Sequence, residues 1–312
     1  MNLIFCGTPQ FAVPTLEMLL GEGFGIEFVI TNPDEPRGRG YELTASPVKQ
    51  AAFQAGLRIF QPIRLKDAAV QAEMTRIKPD AIVVVAYGHI IPPWMIELSP
   101  LGCINLHASL LPRYRGAAPI PWAIIRGERA TGVTTMKIDQ GLDTGDILLH
   151  METEITDTDT TETLSERLSR LGAPLMTETL RKLERGEIQP QPQNHAAATL
   201  APMLKKEDGR LHWSSTAEEI SRRVRGLRPW PVAHTKFVGQ ILRIWMARPA
   251  TISLSRSLQP GELQSRDGRL FVGCSGKTAL ELTELQLEGR KRLSARDFVN
   301  GVRIAEGEKL GE

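Results

Sequence analysis

Two apolar stretches, 80-DAIVVVAYG-88 and 102-GCINLH-107, decide the expected fold of this 312-residue chain. Both lack the alternation of polar and apolar residues that marks a half-exposed strand. Continuous apolar runs of this length are typical of strands covered on both faces, as in a parallel sheet. The segments 2-NLIFCG-7 and 26-IEFVITN-32 have the same character nearer the start of the chain.

Helical patterns separate these strands. Ser46 can cap a helix over 46–56, and Pro47 suits its first turn. Further helices are predicted over 8–20, 118–127 and 160–185, and a further strand over 132–138. Strands that alternate with helices predict an α/β fold with a doubly wound, mostly parallel sheet.

The composition changes after residue 186. Three prolines between Gln, Asn and Ala residues predict a linker over 187–205. A helix follows over 214–226, with a capping box formed by Ser215 and Glu218. Short, turn-rich strands and a last helix over 294–301 then indicate a small β-barrel. The predicted organisation is a first domain over 1–186, a linker over 187–205 and a second domain over 206–312.

Charge is unevenly spread along the chain. The formal net charge is +2, but residues 206–312 hold 19 Lys and Arg against 13 Asp and Glu, so the first two thirds are acidic overall. A basic C-terminal part favours an anionic partner. An ordinary solvated surface explains the same counts equally well.

The cysteines and the apolar runs indicate the cellular compartment in which the protein works. Three cysteines without metal-binding spacing predict a reducing compartment and no disulfide framework. Cys6 and Cys103 lie in apolar runs and are expected to be small core residues rather than nucleophiles. No secretory or transit signal is recognised, and no apolar run approaches the roughly 20 residues that span a membrane. We expect a cytoplasmic protein that is independent of membranes.

Polar residues at the end of the strand over 102–107 are the first candidates for chemistry. Asn105 and His107 are two residues apart, so they point to the same side of a strand. The carboxyl ends of strands are where doubly wound sheets bind ligands. The Gly-rich loop of 139-DQGLDTGDIL-148 supplies Asp139, Asp143 and Asp146 as possible carboxylate partners. Taken separately, the His is more often a core residue and the loop more often a simple turn.

These groups favour acyl transfer without a covalent enzyme intermediate. An Asn amide and a protonated His can donate hydrogen bonds to a developing oxyanion, and a nearby Asp stabilises the imidazolium. The first turn, 6-CGTPQFAVP-14, lacks the G-x-G-x-x-G pattern of a dinucleotide site. No G-x-S-x-G nucleophile and no H-E-x-x-H metal site is present.

The stretches 105-NLHASLLPRYRGAAPI-120 and 141-GLDTGDIL-148 resemble the folate-dependent formyltransferases. That resemblance implies Asn105, His107 and Asp143 as catalytic residues. It implies Ser109, Leu110, Leu111 and Pro112 as the loop that binds 10-formyltetrahydrofolate, with no metal. Further matches over nearly the whole chain, including "TNPDEPRGRG", "KKEDGRLHWSSTAEEI" and "RGLRPWPVAHT", resemble the branch that formylates methionyl initiator tRNA.

The same resemblance implies the layout and the partner. It predicts a Rossmann-like domain, a linker and an OB-like barrel. We expect the protein to be a monomer. Arg37 and Arg39 are expected to meet the tRNA acceptor end, where Tyr41 and Glu42 replace basic residues frequent in the family. The barrel contributes a basic cluster of Arg290, Lys291, Arg292 and Arg296.

Two other functions remain open at this point. One is formyl transfer to a small amine, such as a sugar nucleotide or a purine precursor, which would not need a basic second domain. The other is a non-catalytic RNA-binding protein, which would leave Asn105, His107 and Asp143 unexplained.

Overall fold

The computed structural model describes residues 1–37, 42–251, 257–302, 304–305 and 307–311. The chain forms two compact units. The first consists of Met1–Pro119, Ala130–Glu154 and Ser165–Pro202. The second consists of Ile120–Arg129, Ile155–Leu164 and Met203–Glu312.

Nine strands and six α-helices precede residue 187 in the described chain, together with a short 3-10 helix over Gln10–Ala12. The strands are β1 (Asn2–Gly7), β2 (Gly25–Ile30), β3 (Glu35–Arg37), β4 (Glu42–Thr44), β5 (Ile59–Phe60), β6 (Ala81–Val85), β7 (Cys103–His107), β8 (Ala130–Lys137) and β9 (Ile147–Glu154). The helices are α1 (Val13–Gly21), α2 (Pro47–Gln54), α3 (Ala68–Ile77), α4 (Pro93–Ile96), α5 (Pro119–Ile125) and α6 (Thr161–Glu184).

The main sheet has seven strands in the order β5-β2-β1-β6-β7-β8-β9. The pairs from β5 to β7 are parallel, and β8 and β9 continue the sheet antiparallel. One face packs on α3 and α4 through Val70, Met74 and Met95. On the other face, Leu106 of β7 lies against Gly172 of α6, where an added Cβ would come within 2.4 Å of the Leu106 side chain. The predicted doubly wound, mostly parallel sheet is therefore confirmed.

Local capping explains where two predicted helices begin. The Ser46 hydroxyl accepts a hydrogen bond from the Lys49 N–H, as the sequence predicts for the start of α2. The capping box of α7 (Ala217–Gly226) was predicted one residue too early. Thr216 and Glu219 form it, because the Thr216 hydroxyl and the Glu219 carboxylate each accept from the other residue's N–H. The S/T-x-x-E pattern occurs at both registers, so sequence alone does not separate them.

The second unit carries an antiparallel sheet. Its strands are β10 (Ala233–Phe237), β11 (Gln240–Pro249), β12 (Leu263–Arg266), β13 (Arg269–Gly273), β14 (Ala279–Leu287) and β15 (Leu293–Ser294), and α8 (Ala295–Gly301) follows them. The order is β10-β11-β14-β13-β12, with β15 beside β14. This smaller, turn-rich domain agrees with the predicted class.

The last described residues connect the two edges of that sheet. Glu308 accepts a hydrogen bond from the N–H of Leu263 in β12, at 2.8 Å. The N–H of Gly311 donates to the carbonyl of Lys236 in β10, at 2.9 Å. The segment 308–311 thus spans from one edge strand to the other, which is how the open strand order becomes barrel-like.

The cysteines are core residues. Cys6, Cys103 and Cys274 are free and buried. Burial raises the pKa of the Cys103 thiol and that of the Cys274 thiol to about 12. Burial also raises the pKa of the Cys6 thiol well above its usual value. Since the thiolate is the nucleophilic form, the prediction of small core residues is confirmed for Cys6 and Cys103. Within the described residues, no helix combines the length and the apolarity that a membrane crossing needs.

Candidate active site

The end of β7 presents Asn105 and His107 on one face of the sheet. Leu106, between them, contacts α6 on the opposite face, so the two polar side chains share the other side. His107 is 7% exposed, whereas Asn105 is half-buried. Within the described chain, the Asn105 amide has no hydrogen-bond partner. A partly accessible amide without a protein partner is available to a ligand.

One backbone contact and one neighbouring carboxylate define the orientation of the His107 ring. Its Nε2 lies 2.9 Å from the carbonyl oxygen of Tyr114. A carbonyl only accepts, so this geometry places a proton on Nε2. The other ring nitrogen, Nδ1, lies 3.7 Å from Oδ2 of Asp143. That separation is longer than a hydrogen bond. When His107 is protonated, the imidazolium and the Asp143 carboxylate form an ion pair at this distance.

Asp143 is held in a tight loop between β8 and β9. Its Oδ2 accepts a 2.7 Å hydrogen bond from the Gly116 N–H, and its backbone is left-handed, with a φ of 51°. The turn requires glycine nearby, since a Cβ on Gly145 would lie 1.9 Å from the Lys137 carbonyl oxygen. Asp139 instead accepts from its own loop, from the Gly141 N–H. Of the carboxylates in this loop, Asp143 is therefore the one beside His107.

The segment Ser109–Pro112, predicted to bind the folate, forms a turn directly after β7. Ser109 is fully buried, and its hydroxyl donates to the Arg113 carbonyl at 2.6 Å. The Thr134 hydroxyl donates to the Ser109 carbonyl at 2.7 Å and accepts from the Leu111 N–H at 3.3 Å. Leu111 is buried, and Leu110 and Pro112 are half-buried. Since the Ser109 hydroxyl is committed to the turn, the segment can offer mainly backbone groups and apolar surface to a ligand.

Two buried side chains that the sequence did not point to support this site. Arg115 and Gln193 are 6% and 5% exposed, and they are hydrogen-bonded to each other. Gln193 lies in the Pro-rich stretch, where no periodicity points to a buried residue. Arg115 is the one sequence feature that could have indicated a supporting residue, because it is a charged residue inside a loop rich in Gly, Ala and Pro.

The basic residues predicted to meet tRNA lie in two parts of the chain, near the β3–β4 hairpin and after β14. Arg37 lies opposite Glu42 in the backbone ladder of β3 and β4. Arg39 and Tyr41 lie outside the described residues. The exposed residues Arg290 and Lys291 follow the end of β14.

Arg292 differs from its two neighbours in the basic cluster. Its guanidinium pairs with Glu284 at 2.5 Å and lies 4.2 Å from the centre of the Trp245 ring. The Glu284 carboxylate already offsets its charge. Arg290 and Lys291 therefore present more available positive charge.

No group of three or more His, Cys, Asp or Glu side chains able to hold a metal ion occurs among the residues that the structure describes. The polar groups that do meet at the end of β7 are an amide, an imidazole and one carboxylate. Such a set can donate to an oxyanion and balance a positive charge.

Two family models match the chain. "Formyl transferase" covers residues 1–180, and "Formyl transferase, C-terminal domain" covers residues 203–303. Among relatives, a protein of Koribacter versatilis (strain Ellin345), described as methionyl-tRNA formyltransferase, is 54% identical over 312 residues, which is 100% of this chain and 99% of the relative.

Solved structures share the fold at low identity. Methionyl-tRNA formyltransferase from Clostridium thermocellum aligns with a TM-score of 0.57 at 18% identity, over 92% of this chain and 98% of that one. HypX from Aquifex aeolicus in complex with tetrahydrofolic acid aligns with a TM-score of 0.64 at 18% identity, over 96% of this chain and 46% of that one.

Proposed function

The chain belongs to the formyl transferase family, and from that membership we propose that it transfers the formyl group of 10-formyltetrahydrofolate to the α-amine of methionyl initiator tRNA. The observation that carries the proposal is the 54% identity, over the full chain, to a relative described as methionyl-tRNA formyltransferase. The Asn105, His107 and Asp143 arrangement supplies chemistry that fits the reaction.

The reaction exchanges one C–N bond for another and moves one proton. The methionine amine attacks the formyl carbon, a C–N bond forms, and the bond from that carbon to the folate N10 breaks. Negative charge develops on the formyl oxygen, and a proton passes from the amine to N10. The protein must therefore stabilise an oxyanion and accommodate a proton transfer.

Asn105 and His107 divide these tasks. The Asn105 amide has no partner in the described chain, so it can donate to the formyl oxygen. His107 has its Nε2–H committed to Tyr114, so Nδ1 is the atom that carries a transferable proton. Asp143 balances the charge of the imidazolium across 3.7 Å. The two donors of the sequence-based hypothesis thus have different roles.

The formyl donor would lie against the turn Ser109–Pro112, beside these groups. The family supports a folate-type co-substrate, and HypX, which shares the fold, was solved with tetrahydrofolic acid. The apolar Leu110 and Pro112 side chains are partly accessible, which fits a flat aromatic ring.

We assign the tRNA to two surfaces. Arg37, in the β3–β4 hairpin, and Arg39 are proposed to meet the acceptor end. The domain over 206–312 is proposed to hold tRNA phosphates through Arg290, Lys291, Arg292 and Arg296. A domain over 1–186 would then carry the chemistry, with 187–205 as the connection between domains. We propose that the protein acts as a cytoplasmic monomer in translation initiation.

Formyl transfer from labelled 10-formyltetrahydrofolate tests the proposal. The acceptors are methionyl initiator tRNA, elongator methionyl-tRNA, free methionine and an amino-sugar nucleotide. We expect label on initiator tRNA, with little on the others. Label on the amino sugar alone would support a small-amine enzyme, and tRNA binding without any transfer would support a non-catalytic RNA-binding protein.

A further inference from the structure

Arg115 lies between the two backbone groups that hold the catalytic side chains. The carbonyl before it, that of Tyr114, accepts from His107 Nε2 at 2.9 Å. The N–H after it, that of Gly116, donates to Asp143 Oδ2 at 2.7 Å. Both contacts belong to the peptide units that flank Arg115. A shift of this one residue would therefore move His107 and Asp143 relative to each other.

Gln193 fixes Arg115 and the Asp143 loop with one amide group. Its Nε2 donates to the carbonyls of Asp143 and Gly145, at 2.9 and 2.7 Å. Its Oε1 accepts from Nε and Nη2 of Arg115, at 3.1 and 2.6 Å. The loop that carries Asp143 and the loop that carries Arg115 are thus joined through a single buried side chain.

The backbone around Arg115 is also paired with the segment that contains Gln193. The Arg115 N–H donates to the Thr199 carbonyl at 2.8 Å, and its carbonyl accepts from the Ala201 N–H at 2.7 Å. The Thr199 hydroxyl accepts from the Tyr114 N–H at 2.9 Å. Residues 193–201 therefore support the catalytic loops.

We propose that Arg115 and Gln193 are positioning residues for formyl transfer: they set the distance between His107 and Asp143 without touching the substrates. This inference rests on the proposed function. Gln193 acts as a donor to the Asp143 loop, and Arg115 orients the Gln193 amide by occupying its oxygen.

The substitution Gln193→Glu distinguishes a positioning role from simple packing. Gln193→Glu keeps the shape and strengthens the pairing with Arg115. It also replaces the two donated N–H bonds with a carboxylate oxygen that faces two carbonyl oxygens. If the residue only fills space or pairs with Arg115, the variant should work normally; if it holds the Asp143 loop, the variant should fail.

The experiment measures formylation of methionyl-tRNA by the full chain. We expect kcat of Gln193→Glu to fall about 10²-fold, because a shift of about 1 Å in a catalytic group costs that much. KM for the formyl donor should change by less than about threefold, since no substrate contact is lost. Gln191→Glu is the matched control: its exposed side chain undergoes the same chemical change two residues away, and its backbone pairing with Ile147 is kept.

Gln193→Met guards against misfolding of the glutamate variant. It places an apolar side chain of similar length beside Met136, and it removes the two donated and the two accepted bonds of the amide without adding charge. The melting temperature of each variant is measured in parallel. Loss of kcat with an unchanged donor KM in Gln193→Met, while Gln191→Glu stays active, also supports positioning. A kcat within about threefold of wild type in both Gln193 variants overturns it.

A second readout needs no acceptor. In protein with isotope-labelled histidine, the Nε2–H bonded to Tyr114 should exchange slowly with solvent, and the His107→Gln variant assigns its signal. We expect exchange to quicken in Gln193→Glu and to stay slow in Gln191→Glu. Unchanged exchange in Gln193→Glu overturns the inference. Absence of transfer by the wild-type protein instead contradicts the proposed function, and the exchange readout still decides the positioning role.

Discussion

Replacing Asp143 with asparagine tests the charge at the centre of the site. Asp143→Asn keeps the size of the side chain, and its amide oxygen can still accept from the Gly116 N–H. What disappears is the negative charge 3.7 Å from His107 Nδ1. The variant therefore isolates the electrostatic contribution of Asp143 from its role in the loop.

The distance sets the expected size of the effect. Two unit charges about 4 Å apart interact by about 4 kcal/mol at an effective dielectric constant near 20. The Asp143 side chain is 16% exposed, and this partial contact with water lowers the interaction to about 3 kcal/mol. Since about 1.4 kcal/mol corresponds to a factor of ten in rate, kcat should fall about 10²-fold.

Single-turnover formylation at saturating formyl donor measures this rate directly. Asp139→Asn is the matched control, because it makes the same change in the same loop while its partners are loop groups, the Gly141 N–H and the Thr144 hydroxyl. Folate binding, followed by calorimetry, should be unaffected in both variants. A rate for Asp143→Asn within about tenfold of wild type, or an equal loss in Asp139→Asn, would refute the assigned role.

Three further outcomes are expected. The pKa of Glu281 is lowered to about 2, first by its hydrogen bonds from Arg269, so Glu281→Gln should lower the free energy of unfolding at pH 7 by about 2–3 kcal/mol. Because the pKa of this carboxyl is lower in the folded state, the difference in free energy of unfolding between wild type and Glu281→Gln should shrink as the pH falls from 4.5 towards 2. Calorimetric unfolding over this pH range measures that difference. Arg290→Ala and Lys291→Ala should each weaken tRNA binding and reduce the log–log salt slope by about 0.7–0.9; an unchanged slope excludes a phosphate contact. Arg39→Ala should lower formylation of charged tRNA and leave folate affinity unchanged, and equal formylation would exclude this residue from the acceptor-end contact.

The sheet and the shared face of Asn105 and His107 could be predicted because their signals are local. A continuous apolar run such as 81-AIVVV-85 specifies a strand covered on both faces, and the observed strand is fully buried. Asn105 and His107 share a face by the two-residue period of any strand. The spacing of residues did not identify the partner of His107, because three aspartates stand in one loop. The family resemblance pointed to Asp143, and in the structure Asp143 lies beside His107 whereas Asp139 bonds within its own loop.

The supporting residues could not be predicted in the same way. Arg115 and Gln193 are 78 residues apart in the chain, and their contact depends on tertiary structure. Gln193 stands in a Pro-rich stretch whose composition is typical of an exposed connection, yet its amide is buried and makes four hydrogen bonds with Arg115 and the Asp143 loop. Local composition reports the average environment of a segment and does not identify one inward-facing side chain. The capping box of α7 could be predicted only to within one residue, because the same sequence pattern occurs at two adjacent positions.

The bridging segment 308–311 affects how the protein can be handled. Its bonds to Leu263 and Lys236 cover N–H and C=O groups at both margins of the antiparallel sheet. Uncovered margins of this kind are templates on which strands of other molecules add, and they promote aggregation. A recombinant form that ends before Glu308, or whose purification tag displaces this segment, would expose both edge strands of the sheet. We expect such a form to aggregate through those edges.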